Sequence, residues 1–195
     1  MPKQKITKQI ILDSAFELLR FSGHEAVNAR SVAKSAGCSV QPIYSYYENM
    51  TELMQELFAY TQQFLSKYIE KNASQECYFE SIGKCHIGFA KDEKYLFRFL
   101  YLSEYMKAAS FEDIIRQCTR DDVTESIMNT LNLNGEESKK IYLNMMLYTH
   151  GIASMIATGA ADIPNEDIQR LTDAAFRAFL DQSRKEAKIN ETHYS

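Results

Sequence analysis

The side chains best suited to specific chemistry lie close together near the N-terminus, between residues 39 and 46. They are one amide and several hydroxyls: Ser39, Gln41, Tyr44, Ser45 and Tyr46. A glutamine can pair bidentately with adenine, and hydroxyls can contact phosphates or base edges. Two nearby cations, Lys8 and Arg30, could supply charge to the flanking DNA backbone. These residues therefore predict recognition of a nucleic acid.

Two helices would support and orient this segment. Apolar residues recur at steps of three and four over residues 6–19, which predicts an amphipathic first helix. Thr7 can help to start it, and Gly23 can end it because glycine accepts a left-handed backbone. A second helix is predicted from Ala29 to Ala36, with Asn28 as its cap.

The recognition segment itself is predicted to form a third helix after a tight turn at Gly37 and Cys38. We expect Ser39 to cap this helix. Pro42 is tolerated in its first turn, where backbone N–H groups lack intrahelical partners. Two short helices around a glycine-containing turn, braced by a first helix, give the helix-turn-helix plan. The same pattern would also fit a three-helix core that binds no ligand.

Residues 6–58 resemble the N-terminal domain of TetR-family transcriptional regulators. The residues that carry the resemblance are Ile10, Ile11, Ala15, Gly23, Arg30, Ser31, Val32, Ala33, Ala36, Gly37, Ile43, Tyr44, Tyr47, Glu52, Leu53 and Met54. The resemblance implies an all-α homodimer, with a three-helix helix-turn-helix domain at the N-terminus. A C-terminal helical domain would bind a ligand and dimerise.

The resemblance also implies a DNA-facing surface and one departure from the family pattern. The positions on that surface are Arg30, Ser39, Gln41, Pro42, Tyr44 and Tyr46. Tyr47 is expected in the core. The family usually has a lysine near the start of the fourth helix, where this chain has Met50. Losing one phosphate contact should weaken binding to DNA and flatten its salt dependence.

Composition and charge agree with a two-part helical protein. Only three prolines and seven glycines occur among 195 residues, which argues against a sheet protein with many turns. The net charge is −4, yet residues 1–50 hold six cations and four anions, so their net charge is +2 and the rest carries −6. We therefore divide the chain into a helix-turn-helix domain, residues 1–50, and a regulatory and dimerisation domain, residues 51–195.

The periodicity stays helical beyond residue 72. It predicts helices near residues 75–91, 93–107, 110–132, 136–160 and 165–187. Residues 141–161 carry no charged side chain and are long enough to span a bilayer, but their polar residues favour burial within protein. Together with 165–187 they match the dimerisation helices that the resemblance implies.

A small-molecule site is predicted in the C-terminal domain. The thirteen aromatic residues between positions 58 and 111 fit ordinary core packing, but some could line a pocket. The candidate ligand-binding residues are Tyr101, Glu104, Tyr105, Tyr148 and His150. Aromatic walls with one acidic anchor would suit a hydrophobic or cationic effector.

Catalysis and metal binding are not expected. The sequence has no glycine-rich phosphate loop, no HExxH motif and no nucleophile elbow, so we predict no enzymatic activity and no cofactor. The four cysteines lack paired zinc-ligand spacing, and Cys85 beside His86 does not make a metal site. No signal segment is visible, which favours the cytoplasm.

The predicted function is a ligand-responsive regulator, a repressor that a small molecule releases from a palindromic double-stranded DNA operator. The alternative is a helical interaction protein that keeps this fold but binds a protein partner. Strong salt dependence of DNA binding would distinguish the first from the second.

Overall fold

The fold was obtained as a computed structural model that describes residues 6–110, 113, 114, 116 and 120–193, with side chains as far as Glu186. This part of the chain is helical and contains no strand. The helices are α1 (Lys8–Ser22), α2 (Ala29–Ser35), α3 (Gln41–Tyr46), α4 (Met50–Asn72), α5 (Tyr78–Asp92), α6 (Lys94–Tyr101), α7 (Asp121–Leu131), α8 (Gly135–Thr158) and α9 (Asn165–His193). The all-α class predicted from the sequence is confirmed.

The chain divides into two compact units. The first contains residues 1–70 and 89–107, and the second contains residues 71–88 and 108–195. Two of the three boundaries between these units fall within α4 and α5, and the third follows Lys107.

The start and end of α1 follow from local hydrogen bonding. The Thr7 hydroxyl accepts from the Ile10 N–H at 3.2 Å, which satisfies a donor that has no intrahelical partner. Gly23 ends the helix with φ 87° and donates its N–H to the Leu19 carbonyl at 2.9 Å. Its backbone is tightly packed as well: a Cβ there would lie 3.3 Å from the Tyr95 ring. Both predicted ends of α1 are confirmed.

The two short helices differ in how they begin. Asn28 and Ser31 form a capping box on α2, in which the Asn28 side chain accepts from the Ser31 N–H at 3.1 Å and Ser31 accepts from the Asn28 N–H. The expected Ser39 cap on α3 is wrong. Val40 occupies the N-cap position without a side-chain hydrogen bond, and Pro42 lies in the first turn. Proline needs no partner there, so α3 starts without a polar cap.

The rest of the first unit packs α4 and α6 against α1. The Arg20 guanidinium of α1 binds the Glu93 carboxylate just before α6 through two hydrogen bonds, one of 2.8 Å from Nε. Phe58 of α4 lies edge-on to Phe99 of α6, with ring centroids 5.6 Å apart. The predicted helix over 93–107 is too long, because α6 ends at Tyr101 and a 3₁₀ turn follows at Glu104–Met106.

The second unit is built on α7, α8 and α9. Val123, Ile127 and Tyr142 form a buried cluster with Tyr78, Phe79 and Ile82 packed around it. The predicted continuous helix over 110–132 is wrong: Arg120 has an extended backbone and α7 begins after it. Residues 111, 112, 115 and 117–119 of that prediction lie outside the described part of the chain.

Helix α8 has well-defined ends. Asn134 and Glu137 form a capping box at its start, and Gly159 adopts a left-handed backbone at its end, with φ 73°. No helix in the described part of the chain combines the length and apolarity needed to cross a bilayer.

Candidate nucleic-acid interface

Helix α3 separates a buried face from an exposed one. Ile43 and Tyr47 are 0% and 1% exposed, and they anchor the helix in the first unit. Gln41, Tyr44 and Ser45 are exposed on the side away from this core, at the i, i+3 and i+4 positions that share one helix face. We call these three residues the reading face. A short helix held on one side by apolar packing presents the other side to a partner.

Two side chains of the reading face make no hydrogen bond or ion pair to the described residues. They are Gln41 and Tyr44, and the Tyr44 side chain is 52% exposed. The third, Ser45, donates to the Gln41 carbonyl at 3.1 Å. Ser39, exposed just before the helix, also makes no such contact. An exposed amide and phenol held on a rigid helix can hydrogen-bond to a partner without first breaking an internal contact.

Other predicted contact residues are positioned differently. The Tyr46 hydroxyl donates to the Ile6 carbonyl at 3.1 Å, which links α3 to the chain before α1. Pro42 is partly buried at the start of α3. Arg30 is exposed in the first turn of α2. A hydroxyl that already donates can still accept a hydrogen bond, so Tyr46 is suited to fix α3 more than to read bases.

Lys8 forms an ion pair on the protein surface, with its side chain 45% exposed. Its ammonium lies 2.6 Å from a Glu56 carboxylate oxygen and 4.9 Å from the centre of the Tyr47 ring. Burial, with a smaller effect of Glu56, raises the pKa of Tyr47, so its phenol stays neutral. The Lys8 charge is therefore partly neutralised by α4 before any phosphate approaches. Sequence spacing gives no sign of this pairing, since the two residues are far apart in the chain.

The exposed cations that precede the reading face in sequence lie on α2. Lys34, in the last turn of α2, is exposed and was not among the predicted contact residues. The next cation along the chain is Lys67, so residues 35–66 contain neither lysine nor arginine. Met50 begins α4, where Asn49 accepts from the Glu52 N–H at 3.0 Å. We call residues 35–66 the cation-free segment.

The predicted ligand-binding residues fall into two groups. Tyr101, Glu104 and Tyr105 belong to the first unit, and Tyr148 and His150 belong to the second. The Tyr105 ring packs 5.2 Å from Phe99, measured between centroids. Tyr101 packs 4.9 Å from Phe97 in the same way.

On α8, Tyr148 lies edge-on to Phe179 of α9, with ring centroids 6.5 Å apart. His150 Nδ1 lies 3.3 Å from His86 Nε2. Desolvation, with repulsion from His150, lowers the pKa of His86 to about 3, and desolvation also lowers that of His150. The two rings form a neutral, polar pair between α5 and α8.

The second unit also has a polar cleft that the sequence analysis missed. Its volume is about 380 Å³, and it is lined by Gln75, Tyr78, Asp122, Glu125, Ser126 and Asn129. Arg120 donates to the Tyr78 hydroxyl at 2.9 Å, and that hydroxyl donates to Asp122 at 2.7 Å. Hydrogen bonding from the Arg120 guanidinium holds the pKa of Asp122 down at about 2. Asp122, Glu125, Ser126 and Asn129 share one face of α7, but no spacing signal links them to Gln75 and Tyr78, which lie before and at the start of α5.

The N-terminal sequence matches a known protein family, and the fold as a whole matches solved structures. Residues 11–57 match the family model for bacterial regulatory proteins of the tetR family. No curated protein matches the sequence significantly.

Solved structures share the fold along most of the chain. A protein of unknown function from Rhodococcus has a TM-score of 0.64 and 18% identity, covering 93% of this chain and 98% of its own. A TetR-family transcriptional regulator from Haemophilus influenzae has a TM-score of 0.59 and 14% identity, covering 87% and 94%. One from Marinobacter aquaeolei has a TM-score of 0.55 and 18% identity, covering 87% and 93%.

The family match covers the segment that carries the candidate interface. The matched segment begins at Ile11 in the core of α1 and ends at Leu57 in α4, so it contains the reading face and the helices that support it. Residues 11–57 therefore form a domain of the tetR family of bacterial regulatory proteins.

Proposed function

We propose that this protein is a DNA-binding transcriptional regulator that works in the cytoplasm and acts as a repressor. The observation that carries the proposal is the reading face of α3, which is exposed, polar and fixed to the core by Ile43 and Tyr47. A helix of this size fits the major groove, where base edges present distinct patterns of donors and acceptors. Arg30, Ser39 and Tyr46 would contact the DNA backbone around it.

The working form is proposed to be a homodimer formed through the second unit. Helix α8 leaves Leu147 and Met155 42% and 43% exposed, with the exposed Gly151 between them on the same face. Lys140 of α8 forms an ion pair with Glu186 of α9, which holds the two helices together. A two-fold dimer presents two reading helices, so its operator would be nearly palindromic, with half-sites about 34–36 Å apart or a multiple of that.

Release by a small molecule is the proposed mode of regulation. Within the first unit, Tyr105 packs on Phe99, and Phe99 packs on Phe58 of α4. A ligand that binds beside Tyr101 and Glu104 and displaces Tyr105 would therefore disturb α4, which follows the reading helix directly. The proposed effector is hydrophobic or cationic, and its binding would change the spacing of the two reading helices.

A protein-binding role is the second candidate, and one observation favours it. The cation-free segment offers no lysine or arginine to phosphates, and Lys8 is already paired with Glu56. A surface with few cations suits a neutral partner better than it suits a polyanion.

The first experiment measures binding of the full-length protein to DNA from upstream of its own gene, by fluorescence anisotropy across a salt series. We expect tight, salt-sensitive binding that random DNA does not compete away. Gln41→Ala and Tyr44→Phe should weaken it by about tenfold or less each. Gln63→Ala, an exposed glutamine on α4, serves as the matched control. Binding that is weak and indifferent to sequence would move the protein-binding role to first place.

A further inference from the structure

The chemistry of the reading face restricts which bases it can distinguish. The strongest readers of guanine are arginine and lysine, which donate to its O6 and N7 acceptors. Residues 35–66 contain neither, so no cation lies on α3, in the turn before it or in the first half of α4. Helix α3 itself therefore offers guanine no charged donor, and the exposed cations of α2, Arg30 and Lys34, lie outside the reading face.

The side chains that are present favour the other base pair. Gln41 offers an amide with one acceptor and two donors, and it makes no hydrogen bond to the described residues. This pattern matches the N6 donor and N7 acceptor of adenine in the major groove. Tyr44 adds an exposed aromatic ring one turn further on, and apolar groups of this kind contact the methyl group of thymine.

The remaining polar groups nearby do not favour G·C. Ser39 and Ser45 carry hydroxyls, which hydrogen-bond to any base. Glu48 could accept from cytosine, but it lies beyond the helix, because the Tyr47 backbone is extended. Its own N–H donates to the Glu52 carboxylate at 2.6 Å. Glu48 therefore does not continue the reading face.

We infer that the base pairs beneath α3 in each operator half-site are A·T, with adenine bound by the Gln41 amide and a thymine methyl packed on the Tyr44 ring. The inference rests on the proposed DNA-binding function. It specifies the chemical class of the DNA sequence, which the family match does not.

The test begins with selection of duplexes by the full-length protein from a randomised library, followed by affinity measurements on the selected sequence. Single adenines are then replaced with 7-deaza-adenine, which lacks the N7 acceptor, and single thymines with uracil, which lacks the methyl group. At one adenine in each half-site, we expect 7-deaza-adenine to weaken wild-type binding about tenfold. At one thymine, uracil should weaken it about threefold.

The variants assign each effect to a side chain. Gln41→Ala should bind the unmodified and 7-deaza-adenine duplexes equally, and Tyr44→Ala should be indifferent to uracil. Gln63→Ala should respond to both modifications as the wild type does. Thermal unfolding of each variant verifies that the helices are intact.

Failure of the inference and failure of the proposed DNA-binding function would give different results. Selection of G·C at these positions, with loss on 7-deaza-guanine, would overturn the inference and leave the DNA-binding function standing. Equal loss on 7-deaza-adenine in wild type and Gln41→Ala would overturn the role of Gln41. If no sequence is enriched and no duplex shows salt-sensitive binding, the proposed function itself fails.

Discussion

At the scale of single residues, the pair His86 and His150 has a defined protonation requirement. Their ring nitrogens lie 3.3 Å apart, so one neutral ring can donate to the other. Two protonated rings would both donate and would repel each other. The lowered pKa values of both groups mean that the folded protein disfavours the charged forms.

This pair predicts a loss of stability in mild acid. Both pKa values are below the ordinary value of 6.5, so the unfolded chain binds more protons than the folded one between pH 6.5 and about 3. Stability is fully present above pH 6.5 and falls as the pH is lowered. Because His86 keeps partial exposure, we expect its contribution to fall by about 1 kcal/mol by pH 5, with a further loss from His150. Urea unfolding at pH 5 and pH 7 measures it.

Two variants separate this effect from general acid sensitivity. The double change His86→Leu and His150→Leu should remove most of the difference between pH 5 and pH 7. His24→Gln, which leaves the pair intact, should keep it. The Asp122 carboxylate does not contribute to the difference in stability between pH 5 and pH 7. Its pKa of about 2 means that its own effect on stability is lost only at lower pH. An unchanged pH dependence in the double variant would contradict the assignment.

At the scale of helices, the ion pair between Arg20 and Glu93 fastens α1 to α6. Glu93 is the more buried partner, with its side chain 10% exposed. Hydrogen bonding to Glu93 raises the pKa of Arg20, so the guanidinium stays charged. The Arg20 guanidinium also lies 5.2 Å from the centre of the Phe64 ring on α4. One arginine thus contacts two helices at once.

The two halves of this pair should differ in their effect on stability. Arg20→Met leaves a buried carboxylate without its cation and should cost about 2 kcal/mol of unfolding free energy. Glu93→Gln leaves a cation that water can still reach, and it should cost about 1 kcal/mol. The double variant should lose less than the sum of the two. Denaturant unfolding of all four proteins measures the coupling, and strict additivity would show that the pair is not coupled.

The helices that the sequence predicts correctly are those with local signals. Thr7, Asn28 and Asn134 each cap a helix through a bond to a residue two or three positions away, which spacing reveals. The early end of α6 and the extended Arg120 have no such signal. Arg120 instead bonds to Tyr78, which lies 42 positions earlier in the chain. Tertiary contacts decide these boundaries, so periodicity alone overextends the helices.

At the candidate interface, the sequence predicts which side chains of α3 face outward, but not which contacts its neighbours make with other helices. Apolar spacing shows that Ile43 faces inward and Gln41 and Tyr44 face outward, because all three lie on one short helix. The engagement of Lys8 by Glu56 was not predictable, since it depends on how α1 packs against α4. Charge counting therefore overstated the cations available to DNA.

At the scale of the whole molecule, the proposed dimer would form through the exposed face of α8. We predict that Leu147→Glu combined with Met155→Glu gives a monomer, because two carboxylates would be buried in an apolar contact between copies. Leu102→Glu is the matched control, since Leu102 is 43% exposed but lies in the first unit. Sedimentation equilibrium distinguishes the masses. A dimer that survives the double change would place the interface elsewhere.

The cation-free segment has a consequence for how a regulator of this kind would find its site in a genome. Sequence-independent affinity comes from cations that displace counterions from phosphates, and this surface has few to offer. Such a protein would spend little time on the vast excess of competing DNA and would slide along it only briefly. Its search would be mostly three-dimensional. Few copies per cell would then suffice, because little of the population is held at the wrong sites.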